Sequence, residues 1–491
     1  MDFGSDGPGG PAPRAAQAAA LRVAQEAAAR VPAYGRFLRR AGYDPRGLRG
    51  YADFLALPLM DKASYLLRYS LDERMLGGEL SRAQTVTLSS GTAGPSTLWP
   101  RFPEQIPPTI ATVTSVLQEY FRIRERETLM VLAQGIGAWG FGTMLARVGH
   151  RLFGDEGVRG TVVMPGLEQA EALRFVEELG PQYDQILLVS YPALVPSLLE
   201  AGERRGIDWK ALNVGVFTSG EGCSEAQRER ILRYTGKDPD KLEGFVAVFG
   251  TTEVAGAVGF ESRLCLLLRR LCARDPALTQ ALFGRPVMPS LVQYNPATHF
   301  LEVVDGEIIL TIRGAEPLIR YNTRDRGGLL PFATAESVSR AQGYDLRAEL
   351  RARGFGPAHY RALPFLYAFG RSDAVIVHGG NVYRDEVWHA LEQPALIGTN
   401  TGNFEFSGTT DAEGRVALRV EVELRGGVEP TETLRTQYHA ALVSELQRVN
   451  SIFRAVYAAS SGSITLEVVL VPIGTLEFRS AKRPRASLAE Q

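Results

Sequence analysis

At 491 residues and 53.6 kDa the chain is longer than one hydrophobic core usually organises, so two or more domains are expected. Its 54 basic and 55 acidic residues leave a formal net charge of -1, which offers no general field for holding nucleic acid or an anionic membrane. No apolar run approaches the ~18 residues that cross a bilayer, and no signal peptide is legible, so a cytoplasmic protein without a membrane partner is expected.

Residues 1–13 are rich in Gly, Pro and Asp and read as a disordered tail, whereas the alanine-rich stretch Arg14–Arg30 reads as a helix. β-branched runs predict strands at Thr85–Leu88, Thr128–Ala133, Thr161–Val163, Gln185–Val189, Val214–Thr218 and Phe245–Phe249. Helical patterns at Gln169–Leu179, Tyr191–Gly202 and Ser224–Thr235 lie between them. Such alternation predicts a largely parallel sheet with helices on both faces. From Ser290 to Leu330 the pattern is strand-rich, with Glu307–Ile312 the clearest run, and predicts a small β subdomain; residues 331–363 carry no clear pattern. Texture changes again at Gly370: a helix from about Asp385, the alternating run Val416–Leu424, a helix over Glu432–Val449 and a closing strand in ITLEVVLVP. The expected architecture is therefore α/β. A large N-terminal domain (14–369) of mostly parallel sheets flanked by helices, plus the β subdomain, precedes a smaller, mobile α+β C-terminal domain (370–491).

Cys223, Cys265 and Cys272 make neither a disulfide framework nor a metal-ligand set; the last two, seven apart, share a helix face and read as buried thiols. The histidines show no metal spacing. No Walker-type phosphate loop occurs.

Six short polar segments carry the chemistry. Ser89-Ser90-Gly91-Thr92-Ala93-Gly94 follows a strand and supplies hydroxyls and glycines, the means by which a loop brings donors close to phosphate oxygens. Ser219-Gly220-Glu221 ends a strand, where doubly wound sheets place ligands, although a helix N-cap explains it equally well. Phe249-Gly250-Thr251-Thr252-Glu253 combines a stacking face, hydroxyls and a carboxylate suited to a magnesium ion. Asp325 closes Arg320-Tyr321-Asn322-Thr323-Arg324-Asp325, and a carboxylate accepts from both hydroxyls of a ribose. Gly370-Arg371-Ser372-Asp373 has the make-up of a hinge, and Lys482, one of only five lysines, lies in a basic tail.

In this order the segments resemble those of the acyl-adenylate-forming superfamily: acyl-CoA synthetases, nonribosomal adenylation domains and luciferases. The phenylacetate–coenzyme A ligase branch is the most similar, and the resemblance covers about Val31 to Arg485. It implies ATP and Mg²⁺ as cofactors and coenzyme A as co-substrate. Ser89, Ser90, Gly91, Thr92 and Gly94 would face the phosphates; Ser219, Gly220, Glu221, Gly250 and Thr251 would line the nucleotide site. Phe249 would stack on adenine, Thr252 donate to the α-phosphate, Glu253 hold the metal, and Asp325 and Arg371 hold the ribose. Asp373 would be the hinge, and Lys482 the catalytic cation meeting carboxylate and α-phosphate together. The acid pocket would be lined by Ile136, Gly137, Trp139, Phe141, Ala255 and Gly256, whose wide aromatic and lack of a fixed cation suit an aryl or arylacetic acid first, while Ile136 and Phe141 would equally admit a medium fatty chain. Pro95 stands where the family carries a lysine, and Arg101 is the nearest cation to replace it. The partners implied are a small carboxylic acid and an acceptor nucleophile, with a homodimer compatible with the resemblance. An amide or ester synthetase would share every adenylation residue, and a non-catalytic nucleotide-binding protein would need no mobile lysine.

Overall fold

A computed structural model describes residues 13–88, 97–137, 140–192, 194–220, 222–254, 256–371, 375–377, 380–382, 384–410, 416–449 and 466–476. The expected tail therefore lies outside the described residues apart from Pro13. Arg14–Arg30 is helical, and Ala16, Ala20, Ala24 and Ala27 form its buried stripe at the spacing a helix face requires.

Strands β1 (Thr85–Leu88) and β2 (Leu98–Arg101) pair antiparallel, Thr85 opposite Arg101. The main sheet begins with β3 (Thr128–Ala133), β4 (Gly160–Val163), β5 (Gln185–Ser190), β6 (Val214–Ser219) and β7 (Phe245–Thr251). These five run parallel in the order β4-β3-β5-β6-β7. Both faces are covered, so each strand is apolar on both sides. Along β3, Met130 and Leu132 join the core under the helices Ile106–Phe121, Gly140–His150 and Arg263–Arg274. Leu129, Val131 and Ala133 join the core under Gln169–Leu179, Leu194–Arg204 and Glu225–Tyr234.

The sheet continues through β8 (Gly256–Phe260), β9 (Ser290–Tyr294), β10 (Phe300–Val304), β11 (Glu307–Ile312), β12 (Leu318–Leu330) and β13 (Phe365–Arg371). Antiparallel pairing from β7 outward gives the order β7-β8-β9-β13-β12-β11-β10. The strand-rich stretch is thus no separate sheet: the β8–β9 pairing extends the parallel sheet to eleven strands. Residues 331–363, featureless in sequence, hold the helices Phe332–Ala341 and Leu346–Ala352, which pack on the main core through Ala335, Leu346 and Leu350.

After β13 come the short β14 (Val375–Val377) and β15 (Gly380–Val382). A three-stranded sheet follows: β16 (Asn400–Thr410), β17 (Val416–Leu424) and β18 (Leu466–Val471). With the helices Arg384–Leu391 and Glu432–Val449 it encloses its own apolar cluster, from Val382 to Leu470. Among the described residues no helix is long and apolar enough to cross a membrane.

Candidate functional site

The site rests on a charged floor that sequence patterning did not reveal. Helix Arg263–Arg274 reads as LCLLLRRLC, yet Arg269 is as buried as its leucines. Arg269 Nε donates to Glu225 at 2.6 Å, and Nη1 donates to the Pro289 carbonyl at 3.0 Å. Arg228 Nη2 donates to Glu261 at 2.6 Å and its guanidinium stacks 4.2 Å from the Phe245 ring. Glu261 in turn accepts from the Ala247 backbone N–H at 2.7 Å, tying two carboxylates and two guanidiniums to the middle of β7. Burial opposes ionisation of Glu225, but Arg269 and Arg228 outweigh it and hold its carboxyl below the usual value. The three cysteines are free and buried, and burial pushes Cys265 up to about 12, so inert thiols are what the fold contains.

Above this floor the parallel strands end level. Ala133 lies opposite Ser190, Ser190 opposite Thr218, and Ser219 opposite Val248. The residues just past those ends gather at the carboxyl edge of the sheet, the edge where open α/β sheets bind ligands. Gly137 (φ 78°) and Gly220 (φ 91°) turn the chain there in the left-handed conformation. The Gly135 N–H donates to the Tyr191 hydroxyl at 3.1 Å, and Thr143 Oγ1 donates to the Gly137 carbonyl at 2.9 Å. Phe141 stacks on Phe217 at 6.2 Å between centroids, and Ile136 packs on the same core. Ser89, Ser90, Gly91, Thr92, Gly94, Trp139, Glu221 and Ala255 lie outside the described residues.

Phe249 to Val254 carry the chain out of β7 toward β8. Gly250 stands opposite Ala257, where an added Cβ would come within 2.6 Å of the Gly256 carbonyl oxygen. Thr251 ends the strand and Thr252–Val254 form a single 3₁₀ turn. Arg101, 5% exposed at the end of β2, grips this turn: its guanidinium donates to the Glu253 carbonyl at 3.1 Å and to the Thr252 carbonyl. Burial lowers the Arg101 pKa to about 10, against the pull of Glu253 and Glu316. Glu316 is itself buried and paired with Arg74, and burial raises it to about 7 despite that arginine. Glu253 has no cluster of companions, since no group of three or more His, Cys, Asp or Glu placed for a metal occurs among the described residues. A lone carboxylate fits Mg²⁺, which commonly takes one or two carboxylates and completes its shell with water and substrate phosphates.

Asp325 and Arg371 are 46 positions apart in sequence and directly opposite in the β12–β13 ladder. Asp325 is 9% exposed, and its N–H donates to Thr323 Oγ1 at 3.2 Å. In the same segment Arg320 serves the fold, donating to Glu302 and to the carbonyls of Leu55 and Leu57. Arg324 reaches Asp61 at 2.7 Å. In sheet order Arg371 lies three strands from β7 and Asp325 four. One apolar cluster joins the two regions: Phe249 packs against a cluster that includes Val254, Val258, Ile308, Leu310 and Ala368. Asp373 and Lys482 lie outside the described residues.

No protein-family model matches the chain. Phenylacetate–coenzyme A ligase of Thermus thermophilus is 24% identical over 370 residues, 73% of this chain and 70% of that protein. A crystal structure of 2-hydroxyisobutyryl-CoA ligase in the postadenylation state, with an acyl-AMP bound, aligns with a TM-score of 0.64 at 17% identity. It covers 97% of this chain and 89% of the other. The chain carries the fold of the acyl-adenylate-forming ligases. The same ligase with its acyl-AMP and CoA in the thioesterification state aligns at a TM-score of 0.51, over 96% of this chain and 89% of the other. In this adenylate-forming fold the C-terminal cluster meets the large sheet's helices through a shared carboxylate. Glu200 pairs with Arg230 on the neighbouring helix and with Arg425, just past β17, at 3.0 Å. A cleft of about 710 Å³ beside this contact is lined by Trp209, Lys210, Tyr234 and Arg425.

Proposed function

We propose that the chain activates a carboxylic acid with ATP, forming an acyl-adenylate and pyrophosphate, and then passes the acyl group to an acceptor. The pairing of Asp325 with Arg371 within an adenylate-forming fold carries this reading. Asp325 accepts from the ribose hydroxyls beside Arg371, Phe249 offers its ring to adenine, and Thr252 donates to the α-phosphate. Ser89, Ser90, Gly91, Thr92 and Gly94 bring N–H and hydroxyl donors to the phosphates, with Ser219, Gly220, Glu221, Gly250 and Thr251 around them. Glu253 holds Mg²⁺, which supplies charge neutralisation at the phosphates. A carboxylate oxygen of the acid bonds to the α-phosphorus as the bond to the pyrophosphate oxygen breaks. Lys482 steadies the charge that concentrates between acid and phosphate.

The acid is an aryl or arylacetic acid in a pocket of Ile136, Gly137, Trp139, Phe141, Ala255 and Gly256, and the acceptor is the thiol of coenzyme A. The relatedness to a phenylacetate–coenzyme A ligase supports both assignments. Residues 370–491 act as a mobile domain on the core 14–369, turning about Asp373 between the two half-reactions; the separate apolar cluster beyond Val382 supports that division. The test is a panel of aryl, arylacetic and aliphatic acids in carboxylate-dependent pyrophosphate exchange, followed by mass spectrometry of products with coenzyme A and with amines. Exchange with an aryl acid and a coenzyme A thioester is the expected result. An amide product with no thioester would make the chain an amide synthetase, and no exchange with any acid would leave it a nucleotide-binding protein.

A further inference from the structure

Arg101 occupies a position that the adenylation reading does not use. It ends the strand that returns from residues 89–96, and its own backbone is held in the hairpin: Thr85 lies opposite, and the Gln84 N–H donates to the Arg101 carbonyl at 2.8 Å. From there the side chain crosses to a segment some 150 residues away and donates to two successive carbonyls, those of Thr252 and Glu253. A guanidinium buried on two carbonyls, with no carboxylate hydrogen-bonded to it among the described residues, gives up strong hydration for neutral acceptors, so its gain must come from what it holds still.

Both things it holds are part of the nucleotide site as read above. One is the hairpin that carries the hydroxyl- and glycine-rich segment; the other is the turn that presents Thr252 and Glu253. Trp99 and Phe102, on either side of Arg101, are buried, so the hairpin end is anchored as well. The Gln105 amide oxygen accepts from the Phe102 N–H at 2.9 Å and from the Ala315 N–H at 3.0 Å, fixing the hairpin exit beside Glu316. A planar fork with several donors spans two adjacent carbonyls, which a lysine ammonium at the end of a flexible stem does less well.

We propose that Arg101 is a positioning residue that couples the β1–β2 hairpin to the Thr252–Glu253 turn, so that the strand end and the turn move as one body. This rests on the adenylation reading for the identity of the ligand; the mechanical coupling itself does not. The loop has Pro95 and no lysine, so its own side chains supply no cation. Arg101 supplies order in place of a direct charge contact, and a sub-ångström displacement of such groups is enough to weaken binding and slow reaction.

The test compares wild type, Arg101→Met and Arg101→Lys by amide hydrogen exchange without nucleotide, and by ATP calorimetry in EDTA. Steady-state KM for ATP and for the acid is measured on the magnesium-loaded enzyme. Arg101→Met is expected to speed exchange at residues 250–254 and 97–100 together by about tenfold or more, and to weaken ATP about tenfold, as loss of charge-assisted hydrogen bonds does. KM for the acid stays within twofold, and Arg101→Lys gives intermediate values. Unchanged exchange at the turn overturns the proposal, as does looser exchange with wild-type ATP affinity. If Arg101→Met does not fold, the lysine variant decides by the same two criteria. A wild type that binds no ATP removes the adenylation reading and the role in nucleotide binding with it, while the exchange data still report whether Arg101 holds the turn.

Discussion

Glu261→Gln is the sharpest probe of the floor beneath the site. Glutamine keeps the volume of the side chain, so packing is preserved and the change is one of charge and donors. Glu261 is 2% exposed and accepts from Arg228 at 2.6 Å and from the Ala247 N–H at 2.7 Å, with Arg269 Nε 3.4 Å away. In the variant two guanidiniums share the single carboxylate of Glu225, and the new amide N–H₂ faces groups that are themselves donors. Breaking a buried ion pair in this way costs about 3–5 kcal/mol. With an unfolding entropy of roughly 0.7 kcal/mol/K for a cooperative unit of roughly 350 residues, that is a fall in Tm of about 4–7 °C. Scanning calorimetry reads the shift, and ATP calorimetry reads its consequence for Phe249, two residues beyond Ala247 on the same strand. Glu261→Gln/Arg228→Met removes one charge of each sign and should recover at least half of the lost stability. A single variant within 1 °C of wild type, or a double variant no better than the single, refutes the idea that charge balance holds β7 in place.

Four further outcomes are expected. Glu316, raised by burial to about 7 from an ordinary 4.5, keeps its proton in the folded chain where an unfolded glutamate has lost it. Stability therefore falls as pH rises from about 4.5 to about 7, by up to about 3 kcal/mol, and Glu316→Gln should flatten that slope in Tm measurements; a variant whose slope matches wild type refutes the assignment. Asp325→Ala should weaken ATP by roughly 1–3 kcal/mol, the cost of stranded ribose hydroxyls, and calorimetry with equal affinities would reassign Asp325. Lys482→Ala should lower carboxylate-dependent pyrophosphate exchange at least ~100-fold while ATP affinity stays within a few-fold; unchanged exchange removes Lys482 from the chemistry. Glu200→Gln takes from Arg230 and Arg425 the carboxylate they share. It should free the C-terminal unit by roughly 1–3 kcal/mol, seen as faster tryptic cleavage after β13, and an unaltered digestion rate would show that the contact does not hold the unit.

Local pattern was a good guide wherever an element is decided by its own residues. Thr85–Leu88, Thr128–Ala133, Gln169–Leu179 and Glu307–Ile312 begin and end where periodicity places them. It was a poor guide to Ser290–Leu330, because strand content does not say which sheet a strand joins; that depends on the β8–β9 pairing of Gly259 and Phe260 with Tyr294 and Gln293. Residues 331–363 were illegible since their helices are short and bury only Ala335, Leu346 and Leu350 among their apolar side chains.

The amino-acid order alone determined which short segments carry hydroxyls, glycines and carboxylates suited to a nucleotide, and in what succession, because such chemistry is written in neighbouring residues. It did not determine their partners. Arg101 was the cation nearest a phosphate loop and is spent on two carbonyls; Arg228, Arg269, Glu225 and Glu261 belong to no motif and form a buried floor. Whether a charge is hydrated or buried, and which strand lies opposite Asp325, depends on residues tens to hundreds of positions away. Desolvation and strand register are properties of the packed chain, so only the tertiary structure decided them.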